Sequence, residues 1–208
     1  MQKWKTDKSL YDCKRDETNT KQLDYKLYVK EFMSADPVQD WDSIKGCIGL
    51  WDFFKSQADT TNVKKVLDAG TKDGQFTEYL NQKGFDCTGI EIDDQYVEYA
   101  QEKGRDVVKG NICDLEFKRS TFDCVFSHHV FGLCPSYLKA YQECLRVTKK
   151  GGYVITLNDS KGNPRKHYQL ISGDEEVKTI LTKCQIHDIV YFGHPNKDTE
   201  LVVILRKK

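Results

Sequence analysis

No apolar run in this chain approaches the roughly 20 residues that a membrane-crossing helix needs, which argues against an integral helical membrane protein. The amino-terminal stretch is polar and charged, so the expected setting is soluble and cytoplasmic. Net charge is also lacking: 32 lysines and arginines balance 32 aspartates and glutamates, for a formal charge of zero. The broad electrostatic case for nucleic acid or a membrane surface therefore falls away, although a local basic patch does not. Cysteine is plentiful, with eight residues, but no C-x-x-C pair is present. Cys13, Cys47, Cys87, Cys113, Cys124, Cys134, Cys144 and Cys184 are scattered, which argues against a zinc site or redox dithiol. They read as small buried apolar residues in a reducing compartment. Internal repeats and low-complexity segments are likewise missing.

What is present is an alternation of strand and helix patterns from about residue 64 onward, the signature of a parallel α/β sheet with helices on both faces. Strands are expected at 64–69, 86–91, 106–109, 122–127 and 152–158, and helices at 74–83, 94–103 and 136–147. Gly84, Gly104 and Gly151-Gly152 punctuate their ends. A helix near 174–183 then leads into two strand-like runs, 186–192 and 199–206, whose short connection suits an antiparallel hairpin. Residues 1–62 are richer in charge and aromatics, with helices expected at 22–33 and 42–57. At 208 residues one substantial core is affordable, so the expected organisation is a helical cap over 1–62 and a single domain over 63–208.

The most informative stretch is VLDAGTKDG, from Val66 to Gly74. Its start is β-branched and apolar, Gly70 permits a tight reversal, and Phe76, Tyr79 and Leu80 then recur at helical spacing. Such a strand, turn and helix aim backbone N–H groups and the positive helix end at a ligand. Asp68 and Asp73 would oppose a pyrophosphate there at short range, so the local charge disfavours a dinucleotide.

Five segments in order, VLDAGTKDG, TGIEIDD, KGNICDLEF, FDCVFSHHVF and ECLRVTKKGGYVITL, resemble the class I S-adenosylmethionine-dependent methyltransferases over roughly residues 60–207. That resemblance implies an α/β fold with a seven-stranded Rossmann-like sheet of strand order 3-2-1-4-5-7-6, the last strand antiparallel. It implies S-adenosylmethionine as cofactor, whose sulfonium and ammonium suit the acidic turn. Asp68, Ala69, Gly70, Thr71, Lys72 and Gly74 correspond to the donor loop. Lys72 replaces the family's middle glycine, a substitution expected to fit if its backbone angles are ordinary and its side chain points outward. Glu91 corresponds to the acceptor of the ribose hydroxyls, Ile92 to a packing surface for adenine, and Asn111 and Ile112 to the adenine-edge site. Asp114 reads as a turn cap. Ser127 follows as a cofactor-side residue at the end of the fourth strand. His128 and His129 come next, placed to position an acceptor or remove its proton, the role histidine suits near neutral pH.

Absences narrow the subclass. The fourth strand ends in Ser127-His128-His129-Val130, without the proline-rich aromatic motif of amino-directed DNA methyltransferases or the carboxylate of metal-dependent catechol-type enzymes. The Pro-Cys pair of the cysteine-nucleophile class is reversed, as Cys134-Pro135. No essential metal is expected. Tyr99 and Lys103 have the spacing of a short-chain dehydrogenase dyad but lie on the helix after the second strand. A small-molecule acceptor is expected, with protein and nucleic-acid acceptors left open. The alternative is a non-catalytic subunit that binds the methyl donor. His167-Tyr168 and the aromatics Trp4, Tyr11, Tyr25, Tyr28, Trp41 and Trp51 are further candidates to face the cleft, or to glue the cap to the sheet.

Overall fold

Apolar, β-branched runs separated by glycine turns build the centre of the molecule. The structure, a computed structural model, describes residues 20–24, 44–159, 184–193 and 199–208. The strands are β1 (Thr20–Asp24), β2 (Lys65–Ala69), β3 (Asp86–Glu91), β4 (Val107–Lys109), β5 (Phe122–His128), β6 (Thr148–Asp159), β7 (Cys184–Gly193) and β8 (Thr199–Lys207). The helices are α1 (Ile44–Gln57), α2 (Gln75–Gln82), α3 (Asp94–Glu102) and α4 (Tyr137–Val147), with a short 3-10 turn at Phe131–Leu133. All eight strands join one sheet in the order β1-β7-β8-β6-β5-β2-β3-β4. β2 pairs in parallel with β3 and β5, β3 with β4, and β5 with β6, while β8 runs antiparallel to both β6 and β7. This is a mixed α/β Rossmann-like sheet. Its strand count differs from the seven expected, because β1 adds itself in parallel to β7.

Thr20–Asp24 is thus a strand where the sequence pattern suggested the start of a helix at 22–33. TKQLD carries no apolar alternation, so its extended state comes from pairing with β7 rather than from a local signal. The remainder of that helix, the helix near 174–183, His167-Tyr168, and Trp4, Tyr11, Tyr25, Tyr28 and Trp41 lie outside the described residues.

Two buried layers sandwich the sheet. On one face Leu50, Trp51, Phe53 and Phe54 of α1 join Phe76 and Leu80 of α2 against Val66, Cys124, Phe126 and Tyr153. Trp51 is in edge contact with Phe76, Phe85 and Phe126, with ring centroids 6.3, 5.2 and 6.1 Å away. This tryptophan is core and does not line a cleft. On the other face, α4 packs Ala140, Tyr141, Cys144 and Val147 against Leu67, Val125 and Val154. Cys87, Cys113, Cys124 and Cys144 are buried, and burial pushes the thiols of Cys87, Cys124 and Cys144 up from their ordinary value.

Close approaches fix where the strands end. Gly152 lets β6 pass β5, since a β-carbon there would lie 2.5 Å from the Asp123 carbonyl oxygen. Asp123 in turn accepts from the N–H groups of Lys64 and Lys65 at 3.1 and 2.8 Å and from Lys149 Nζ at 2.8 Å. One carboxylate therefore registers the start of β2 against β5 and β6, which sets the level at which β2 and β5 release their loops. Among the described residues no helix is long and apolar enough to cross a membrane.

Candidate functional site

The carboxyl ends of β2, β3, β4 and β5 open onto one cavity of about 620 Å³. In an open α/β sheet this is where strand order reverses and loops splay apart, so a ligand finds room there. The walls are the loop after β2, the end of β3 with the first turn of α3, the turn after β4, and residues 128–135 after β5, while Ile44 and Cys47 of α1 close one side.

The first wall turns on Gly70, with φ +82°, where a β-carbon would meet Val130 Cγ2 at 2.2 Å. Only glycine allows both the angle and the approach. Behind the turn lies Asp68, 3% exposed, whose Oδ2 accepts from the hydroxyls of Thr71 at 2.6 Å and Thr77 at 2.9 Å. Burial raises its carboxyl from 3.8 to about 6, against the pull of the two hydroxyls. The two threonines have space because Gly89 on β3 has no side chain; its β-carbon would lie 2.6 Å from Thr77 Oγ1.

Lys72 departs from expectation. Its φ is +58°, a left-handed conformation that costs a side-chain-bearing residue about 1–2 kcal/mol. The loop thus keeps the shape a glycine would give it, under strain. The side chain is exposed, its ammonium 5.9 Å from the ring centroid of Tyr96, another residue of the cavity lining.

Glu91 closes β3 and faces the cavity, but it also works on the protein. Oε2 accepts from Lys72 N–H at 2.9 Å, and Oε1 accepts from the N–H groups of Ile92 and Asp93 at 2.7 and 3.1 Å. A carboxylate has about four acceptor sites, so three are already used and Oε2 keeps the spare one. Ile92 is 62% exposed beside it, an apolar surface at the cavity wall. Across the cavity, Asn111 and Ile112 lie in a tight turn bridged from Asn111 to Asp114, with Asn111 Oδ1 accepting from Cys113 N–H at 2.9 Å. That turn is held from behind: Glu143 of α4 accepts from Leu115 N–H at 2.9 Å, and Arg146 donates to the carbonyls of Leu115 and Phe117 at 2.6 and 2.8 Å.

The fourth wall begins at His128 and His129, both in the cavity lining, with ring centroids 4.4 Å apart and planes at 84°. His129 is left-handed, φ +57°, and its N–H donates to the Leu157 carbonyl at 2.8 Å, so the strand end bends sharply toward the cavity. Held strain of this kind clusters at functional sites.

The structure thus brings together Asp68, Gly70, Thr71, Lys72, Glu91, Ile92, Asn111, Ile112, His128 and His129. Three expected residues are not in the lining. Ala69 is buried in the core on the opposite face of β2. Ser127 alternates to that same face and is 1% exposed. Gly74 sits at the start of α2, and its missing side chain makes space for Val107 and Arg105 rather than for a ligand. The sequence reading missed Ile44, Cys47, Tyr96 and Cys134 as cavity residues. Tyr96 could have been found, since it stands on the exposed first turn of the helix directly after Glu91. Tyr99 stands on α3 outside this lining, with Lys103 Nζ 5.4 Å from its ring centroid.

Charge decides which nucleoside the cavity fits. Asp68, Asp73, Glu91 and Asp93 line it against one lysine, Lys72. Four carboxylates suit a ligand with a sulfonium and an ammonium and oppose a pyrophosphate. Among the described residues no group of three or more histidines, cysteines or carboxylates is arranged to hold a metal ion.

Comparison with known proteins agrees with this reading. A family model described as a methyltransferase domain matches residues 67–156. The malonyl-[acyl-carrier protein] O-methyltransferase of Pectobacterium atrosepticum is 29% identical over 123 residues, 56% of this chain and 48% of that protein. The match therefore spans about half the length of this curated relative. Among solved structures, a putative sarcosine dimethylglycine methyltransferase from Galdieria sulphuraria superposes with a TM-score of 0.61 at 16% identity, covering 79% of this chain and 88% of the other. A TehB-like S-adenosylmethionine-dependent methyltransferase from Corynebacterium glutamicum gives 0.58 at 17% identity, covering 76% and 87%. Both show the shared fold. The matched segment runs from β2 into β6, through all four loops that wall the cavity, so this part of the chain is similar to the methyltransferase domain of S-adenosylmethionine-dependent enzymes.

Proposed function

We propose that the protein transfers a methyl group to a small-molecule acceptor, with Glu91, Ile92, Asn111 and Ile112 holding the nucleoside of S-adenosylmethionine and Asp68 facing its cationic end. The cofactor supplies an electrophilic methyl carbon. The chain supplies alignment, a water-poor apolar wall, and groups able to hold or take a proton. Proximity of this kind is worth roughly 7–11 kcal/mol in favourable cases.

The observation that carries this reading is the placement of His128 and His129 in the same cavity as the donor loop, on a strand end bent by a left-handed residue. Either imidazole can accept a proton from an acceptor N–H or O–H, or orient its lone pair. Among the similar proteins, the putative sarcosine dimethylglycine methyltransferase supports a small acceptor, while the malonyl-[acyl-carrier protein] O-methyltransferase is named for a group borne on a carrier protein. Ile44 and Cys47 on the cavity wall support a second part of the proposal: residues 1–62 supply an acceptor-side cap to the domain over 63–208. The burial of α1 in the core supports reading Ile44–Gln57 as joined to the domain.

The test is methyl transfer from labelled S-adenosylmethionine across metabolite, protein and nucleic-acid pools, followed by alanine substitution of each histidine. Replacing the working histidine should lower turnover by about 10²–10⁴, the usual contribution of a general acid or base, with donor affinity nearly intact. Undiminished turnover in both single variants and the double variant would reduce the histidines to scaffold. Donor binding without transfer to any pool would favour the non-catalytic binding subunit.

A further inference from the structure

We propose that Arg105 is a positioning residue for the methyl donor, holding the loop after β2 in its left-handed shape without itself lining the cavity. This rests on the assignment of that cavity to S-adenosylmethionine.

Arg105 lies in the connection between α3 and β4, remote in sequence from the donor loop. Its Nη1 donates to the Asp73 carbonyl oxygen at 2.8 Å and lies 3.4 Å from Asp73 Oδ2, while Nε donates to Glu78 Oε2 at 2.7 Å. One guanidinium thus ties the residue after Lys72 to the helix that follows it. The side chain is only 14% exposed, and its Cδ lies 3.2 Å from where a β-carbon on Gly74 would stand. Gly74 is therefore the clearance that lets Arg105 reach the loop. From the other side Glu91 Oε2 accepts the Lys72 N–H at 2.9 Å.

The backbone between the Lys72 N–H and the Asp73 carbonyl is gripped at both ends by side chains from other elements. Between those two holds sits the strained residue, Lys72 at φ +58°. A strained conformation persists only where its surroundings over-determine it. With Arg105 removed, one hold is gone, and the loop relaxes toward ordinary backbone angles that misdirect the N–H groups and Gly70. A glycine at position 72 would need no hold, because positive φ carries no steric cost for it.

The experiment compares wild type, Arg105→Ala, Arg105→Lys, Lys72→Gly and the double variant Arg105→Ala/Lys72→Gly. Two readouts are taken: affinity for S-adenosylhomocysteine by calorimetry, and amide hydrogen exchange over residues 70–75 in the ligand-free protein. Arg105→Ala should weaken affinity about tenfold and speed loop exchange, as expected for loss of a charge-assisted hydrogen bond to the backbone. Arg105→Lys, which keeps the charge but not the fork, should recover only part. The double variant should bind within about twofold of Lys72→Gly alone, since relieving the strain removes the need for the hold. Wild-type affinity and exchange in Arg105→Ala, or a loss undiminished on the glycine background in a variant that still melts cooperatively, would overturn the proposal. If wild type itself binds no S-adenosylhomocysteine the donor assignment fails instead, and the amide exchange still decides whether Arg105 holds the turn.

Discussion

Asp68 shows how a single buried carboxylate serves the site. It sits behind the donor loop, accepts two threonine hydroxyls, and is held by burial at about 6 against an ordinary 3.8. The folded value lies above the unfolded one, so the unfolded chain gives up this proton first as pH rises. The stability that Asp68 contributes is therefore full below about pH 4, falls between about pH 4 and pH 6, and is level above that. A shift of this size corresponds to about 3 kcal/mol. Urea unfolding of wild type and Asp68→Asn between pH 4 and pH 7 checks the sign: wild type should lose stability relative to the variant as pH rises. A constant difference across the window would show that Asp68 does not titrate there.

At the scale of elements, α1 is the instructive case. Its apolar residues enter the same layer as α2, with Trp51 1% exposed among Phe54, Phe76, Phe85 and Phe126. Trp51→Ala should destabilise the protein by about 3–5 kcal/mol, read as a lower urea midpoint, because the cavity left behind lies between helix and sheet. A loss below about 1 kcal/mol would mean that α1 is a peripheral appendage. The strands and helices of the central domain were legible because their signals are local: short apolar runs at 65–69 and 122–128, helical spacing at 75–82, glycine stops at Gly84 and Gly104. The place of Glu91 and the two histidines on the cavity wall was legible for the same reason, since they stand at strand ends. What escaped the sequence reading depends on partners far along the chain. β1 is extended by pairing with β7 across more than 160 residues, and the left-handed Lys72 is held by Glu91 and Arg105. The side chains of Ala69 and Ser127 lie off the cavity wall because one step along a strand turns a side chain to the opposite face.

At the scale of the molecule, the sheet brings four loops from four strands to one level and leaves a cavity lined by carboxylates between them. The central claim is that this cavity takes S-adenosylmethionine through the ribose acceptor Glu91. Calorimetry with S-adenosylhomocysteine and NAD, on wild type and Glu91→Ala, tests it most directly. Wild type should bind S-adenosylhomocysteine and not NAD, and Glu91→Ala should weaken that binding roughly tenfold to a hundredfold, the range for charge-assisted hydrogen bonds. Binding of NAD without S-adenosylhomocysteine, or an unchanged dissociation constant in a folded Glu91→Ala variant, would contradict the account.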